Sequence, residues 1–302
     1  MSKTNTDVSN KVNQASQKAE GVATNHWMLL LARCGYAAKG VVYLVIGILA
    51  VQLALGAGGA ATDQRGALRT ISEQPFGKFL LIIVLIGLLA FALWSFIQAI
   101  FDTDGEGKKA KGIIARLGFA AVGVTYALLG FGAFQLVSGS GNGGKSSTTA
   151  AQDWTATLLK QPFGQVLVIL VGLVVLALAC YTLYRAYTAQ FQSRLNLATL
   201  SAQTRKWVID IGKAGHAAQG IVFIIVGFFF IEAAFQHNAS KAQGLDGALQ
   251  TLSHQPYGQF LLAIVALGLI AYGVYSFVQA RYRRLGRVWH TSPAHRERQY
   301  QH

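Results

Sequence analysis

The chain is short of charge, and of acid most of all. Asp and Glu number 12 in 302 residues against 26 Lys and Arg, and the four types together make up only 13% of the sequence. Beside 53% hydrophobic residues, so few charges cannot cover a water-facing surface of this length, and a bilayer is the expected solvent. Cysteine is nearly absent. Cys34 and Cys180 have no paired spacing and no Cys-x-x-Cys neighbour, which argues against a disulfide framework or a cysteine metal site. The seven histidines show neither a His-x-x-x-His nor a His-Glu pairing, so no metal centre is expected. No Gly-x-Ser-x-Gly, no phosphate-cradling glycine loop with lysine and no pair of carboxylates inside an apolar run occurs. No catalytic residue is therefore assigned, no cofactor is expected, and the chain reads as a non-enzyme. The first 25 residues hold no apolar run, so the first span is expected to serve as its own insertion signal.

Proline is scarce too, and its placement organises the chain. Three of the four prolines stand in one recurring stretch: Gln74-Pro75-Phe76-Gly77, Gln161-Pro162-Phe163-Gly164 and Gln255-Pro256-Tyr257-Gly258. A long apolar run follows each copy, and a second run precedes each by about forty residues, so a two-helix unit is written three times. Six runs reach the roughly twenty residues that cross a bilayer: 35–55, 78–101, 113–137, 165–187, 214–235 and 259–280. The expected fold is all-α and polytopic, with six transmembrane helices as three parallel two-helix repeats in a pseudo-threefold arrangement. Residues 1–27 form a mobile cytoplasmic arm, 28–105, 111–190 and 205–285 the three repeats, and 286–302 a basic cytoplasmic tail.

The basic residues fix the expected orientation. Of 26, only Arg65, Arg69, Lys78, Lys145, Lys160 and Lys241 fall on the side of the proline stretches, so the opposite side, with both termini, is expected in the cytoplasm. Net charge of +14 is then topogenic, with attraction to anionic headgroups along the basic cytoplasmic segments. No basic stripe with interleaved aromatics appears, so nucleic acid is not an expected partner. The five tryptophans, Trp27, Trp94, Trp154, Trp207 and Trp289, all fall near span limits, where an aromatic belt belongs.

Within each repeat the first span carries a glycine pair seven residues apart: Gly40 and Gly47, Gly123 and Gly130, Gly220 and Gly227. Such a pair lies on one helix face and lets another backbone come close, which makes that face the expected packing seam. The linker to the second span begins with Gly and Ser and ends in a short amphipathic stretch, as in Gly66-Ala67-Leu68-Arg69-Thr70-Ile71. A short helix lying on the outer membrane surface is expected there. Pro75, Pro162 and Pro256 then make an elbow and are expected in the first turn of the next span.

The Arg-x-Gly-(Tyr/Phe)-x-Ala-x-Gly pattern, the Gln-Pro-(Phe/Tyr)-Gly elbow and the threefold recurrence resemble the bacterial membrane family known as domain of unknown function 1206, over roughly residues 28–285. Copy three departs with Lys213 and His216, and copy two has Val122 where the others have Lys39 and Gln219. The resemblance implies a six-span inner-membrane protein with no activity attached.

Three polar constellations remain. Gln52, Gln135 and Glu232 stand seventeen residues beyond Gly35, Gly118 and Gly215, about 25 Å along the helix. They form either a polar ring near the outer mouth of a conduit or residues wetted by headgroups. Gln98, Arg185 and Gln279 recur near the cytoplasmic boundary, where Arg185 is expected to reach lipid phosphate. Lys39, roughly 9 Å into its span, is an intramembrane ionisable residue and so a candidate site; it either snorkels to the interface or makes a polar pair with Gln219 across the bundle. The leading reading is a scaffold binding lipid or partner proteins, including a second copy of itself. A conduit for a small solute or ion along the axis is the alternative.

Overall fold

A computed structural model describes residues 26–101, 110–141, 143–198 and 200–283. The arm over 1–25 and the tail from 284 lie outside it, as do Trp289 and the side chain of Trp27. Six helices are long and apolar enough to cross a membrane: α1 His26–Ala54, α3 Gly77–Phe101, α4 Ala110–Ser138, α6 Gly164–Thr188, α7 Ala202–Phe235 and α9 Gly258–Tyr282. Three short helices, α2 Gln64–Ser72, α5 Ser147–Leu159 and α8 Leu245–Ser253, occupy the linkers. Among the described residues no strand forms, apart from one isolated bridge between Leu195 and Arg283. The protein is a multi-pass membrane protein; the ends of the spans near the chain termini are called here the terminal side, and the opposite ends the elbow side.

Each elbow has the same construction. The amide of Gly77 donates to Gln74 O (2.7 Å), that of Gly164 to Gln161 O (2.9 Å) and that of Gly258 to Gln255 O (2.7 Å). Phe76, Phe163 and Tyr257 at the third position have φ of 61°, 61° and 60°. Proline at the second position and positive φ at the third define a type II turn. The prolines therefore lie in the turn ahead of each span, not in its first helical turn. The closing glycine is required by space: a β-carbon at Gly77 would stand 2.4 Å from Ile71 O, and one at Gly164 2.0 Å from Leu158 O.

The glycine pairs lie where one repeat meets the next. At Gly40 a β-carbon would come within 2.8 Å of the Phe277 ring, and at Gly47 within 2.6 Å of Ile270, both on α9. Gly123 and Gly130 face Phe96 and Leu89 of α3, while Gly220 and Gly227 face Leu183 and Leu176 of α6. So α1 packs on α9, α4 on α3 and α7 on α6. In all three cases the first helix of a repeat meets the second helix of the repeat before it in the cycle.

Within the repeats the expected threefold equivalence breaks. Helices α1 and α3 pack together, as do α7 and α9, but α4 and α6 do not pack along their lengths. The reason lies in the crossing residues. Gly87 sits where its β-carbon would be 2.5 Å from Ala38 Cβ, and Gly268 where its would be 2.3 Å from Ala218 Cβ. At the corresponding place in repeat two stands Val174, 59% exposed. The bundle is thus an open ring in the order α4, α3, α1, α9, α7, α6.

Two of the three short helices turn their apolar faces onto the spans. Ala67, Leu68 and Ile71 of α2 and Ala248 and Leu249 of α8 are buried in the bundle core, since their apolar faces find spans to cover them. Trp94 departs from the belt in the same way. It is 2% exposed and belongs to the core, whereas Trp154 and Trp207 are exposed.

Candidate functional site

The ring holds a polar and aromatic centre built by contacts among five of the six spans. Lys39 of α1 points into it. Its Nζ donates to Tyr272 Oη of α9 at 2.7 Å and lies 4.7 Å from the Tyr272 ring centroid, 5.7 Å from Phe91 and 5.9 Å from Tyr43. This is cation–π geometry from three sides. The lysine therefore does not snorkel, because inward it finds a hydroxyl and three ring faces at once. Gln219 of α7 donates to Tyr43 Oη at 3.4 Å, as does Gln64 of α2. The expected pair of Lys39 and Gln219 is thus indirect, joined through tyrosines. From α4, Tyr126 packs edge-on against Phe91 with centroids 4.5 Å apart.

Arg185 of α6 completes the set. It interacts electrostatically with Lys39, His216 and Tyr272 and lies 5.8 Å from the Tyr181 ring. It is half-buried at the terminal-side end of α6. Among the described residues no carboxylate pairs with Lys39 or Arg185. The only acids in the six spans are Asp210, which is exposed, and Glu232, which pairs with Lys241 at 3.4 Å. On the terminal side His216 stacks on Phe191 (4.9 Å, 5°) and its Nδ1 donates to Gly212 O at 2.8 Å. Arg283 covers the Tyr36 ring at 4.8 Å, and Gln98 is buried.

On the elbow side the linkers are clasped to one another. Asp63 caps α2 by accepting from Gly66 N at 2.9 Å and also accepts from Ser147 N of α5. Asp246 Oδ1 of α8 accepts from Ser147 Oγ (2.7 Å), Thr148 N (3.0 Å) and Thr148 Oγ1 (2.7 Å). Burial pushes the Asp63 carboxyl above the usual carboxylate range, against the bonds from Gly66 and Ser147 and aided by the neighbouring Asp246 charge. Burial also opposes the Asp246 charge, but bonds from Ser147, Thr148 and Ser146 outweigh it and its pKa is lowered. A cleft of about 260 Å³ beside Asp63, Arg65 and Asp246 opens to the elbow side. Gln52, Gln135 and Glu232 make no ring: Gln52 is exposed, Gln135 lies against Gly141, and Glu232 accepts from Gln236 at 2.9 Å. Among the described residues no hydrogen bond joins the three.

Between α4 and α6 the interior is not covered. Phe91 and Tyr272 are 4% and 6% exposed, but their repeat-two counterpart Leu178 is 51%. Trp94 and Tyr275 are buried, while Tyr181 in the same place is 53% exposed. A β-carbon at Gly35 or Gly215 would strike Phe91 or Tyr272 at 2.6 Å, yet at Gly118 it would meet nothing within 4 Å. One side of the opening is the α6 stripe Val174, Leu178, Tyr181 and Arg185, and the other is the α4 stripe Gly118, Ala121, Val122 and Thr125, all exposed but the half-buried Arg185. Sequence reasoning missed this opening, although Val174 in place of a recurring glycine was its visible sign.

Comparison with known proteins follows the same threefold division. The profile of the family described as Domain of Unknown Function (DUF1206) matches residues 34–102, 117–189 and 214–283. A Bacillus subtilis (strain 168) protein described as "Uncharacterized protein YxxB" is 36% identical over 262 residues, 87% of this chain and 94% of the relative. No solved structure matches the chain.

Proposed function

The chain belongs to the Domain of Unknown Function (DUF1206) family, and from that premise we propose that it is a non-enzymatic, lipid-binding membrane protein that admits an acyl chain between α4 and α6. It sits in the bacterial inner membrane with both termini in the cytoplasm, a placement supported by the scarcity of Lys and Arg on the elbow side. The observation that carries the reading is the exposure of Val174, Leu178 and Tyr181 on α6, which faces interior-type positions to the bilayer at the depth of its hydrocarbon. In lipid, association rests on packing and on polar contacts, so a span face left without a helix is filled by acyl chains. A conduit along the axis is less well supported, since α2 and α8 are buried in its elbow-side end and clasped there by Asp63 and Asp246.

Native mass spectrometry of the detergent-purified chain tests the reading. One or more lipids should be retained, and Val174→Trp, which fills the opening, should strip them. Ile86→Trp, on an outward face of α3 that is 60% exposed, should leave retention intact. Equal retention in all three proteins would refute the opening as the site.

A further inference from the structure

Resting on that reading, we propose that the opening between α4 and α6 selects an anionic phospholipid of the terminal-side leaflet, with its phosphate held by Arg185 and attracted by Lys39. The argument starts from charge. Arg185 ends the exposed stripe Val174, Leu178, Tyr181 on α6, spaced four, three and four residues apart on one face. Arg185 is half-buried, with its guanidinium carbon 5.8 Å from the Tyr181 ring of that stripe and within electrostatic reach of Lys39, and Lys39 itself contacts neutral groups, Tyr272 Oη and three rings. Two cations with no carboxylate partner among the described residues, set between apolar helices, leave a field that an anion would relieve.

The anion's source follows from the shape. An aqueous anion would have to enter from a water-facing mouth, but the opening is lateral and its walls are Gly118, Ala121, Val122 and Leu178. A lipid fits both features together. Its chains lie along the two stripes, and its phosphate reaches the terminal-side end where Arg185 offers a planar fork for two oxygens. Basic pockets between spans are general hosts for such headgroups.

Native mass spectrometry of the full chain in competition with equimolar phosphatidylglycerol and phosphatidylcholine of identical chains decides the matter. Each basic residue near a headgroup is worth about fivefold, so phosphatidylglycerol should be retained roughly tenfold or more over phosphatidylcholine. Arg185→Gln should bring that ratio down about fivefold while total lipid retained stays constant, and Arg185→Lys should keep most of the preference. Inorganic phosphate at millimolar concentration should displace neither lipid. Equal retention of the two lipids, or an unaltered ratio in Arg185→Gln, overturns the headgroup assignment and leaves the acyl-chain reading standing. Loss of both lipids from the wild-type chain overturns the two together, and displacement by phosphate alone would make the ligand a soluble anion.

Discussion

Adding one methyl group at Gly87 should destabilise the protein, and adding the same group at Gly118 should not. At Gly87 the new carbon would lie 2.5 Å from Ala38 Cβ and 2.9 Å from Cys34 O, whereas carbon contacts are comfortable at about 3.5–4.0 Å. Helices α1 and α3 would have to part by about 1 Å, which in a well-packed interface costs ~1–3 kcal/mol, or roughly 5- to 150-fold in the unfolding equilibrium. Gly268 is the same case against Ala218 at 2.3 Å. At Gly118 nothing lies within 4 Å, so Gly118→Ala adds only helix propensity, a gain of ~0.5–1 kcal/mol. Unfolding of the purified chain in mixed micelles by dodecyl sulfate, followed by tryptophan fluorescence, measures all three. If Gly118→Ala lost as much as Gly87→Ala, a neighbour would have to press on Gly118, and the open side of the ring would not exist.

Further outcomes are expected from the same assay. Tyr272→Phe removes the hydroxyl that receives Lys39 Nζ and should cost ~1.5–3 kcal/mol, a loss that vanishes in a Lys39→Met background; equal losses in both backgrounds would break the coupling. Phe76→Gly relieves a left-handed φ of 61° at a side chain that is 85% exposed and should stabilise by ~1 kcal/mol, while Gly77→Ala, 2.4 Å from Ile71 O, should destabilise. Acid titration separates the two clasp carboxylates. Asp246, with its lowered pKa, contributes stability above the unfolded value of about 3.9 that is lost as pH falls toward its folded value. Asp63, with its raised pKa, acts oppositely, its contribution fading as pH climbs from about 3.9 through the folded value. Asp246→Asn should therefore blunt the loss on acidification, and a curve unchanged by it would exclude Asp246 as its source.

The spans, the places of the elbows and the seams could be read from the sequence because each rests on local chemistry: twenty apolar residues, a proline that stops one helix, glycine twice on one face. The left-handed aromatic that sets proline ahead of the span could not, and neither could the centre. Lys39 and Tyr272 are 233 residues apart, and nothing near Lys39 distinguishes an inward lysine from one that reaches back to the interface. The linker clasp was hidden for a related reason. Asp63, Ser147 and Asp246 are brought together by irregular loops whose lengths differ between repeats, so no period connects them. The unpaired side of the ring did leave a trace in Val174, but a single valine in an apolar run carries no signal until the two glycines aligned with it are seen to be contacts.

Pairing α1 with α9 has a temporal cost during synthesis. The first span to leave the ribosome receives its major partner only after the sixth has been made, some ten to fifty seconds later at about 5–20 residues per second. Through that interval Gly40 and Gly47 face lipid or the insertion machinery, and Lys39 waits in hydrocarbon for the hydroxyl that will accept it. Early chains are thus vulnerable in a way the finished protein is not, and a nascent polypeptide halted before Tyr272 should be the form that quality-control proteases recognise.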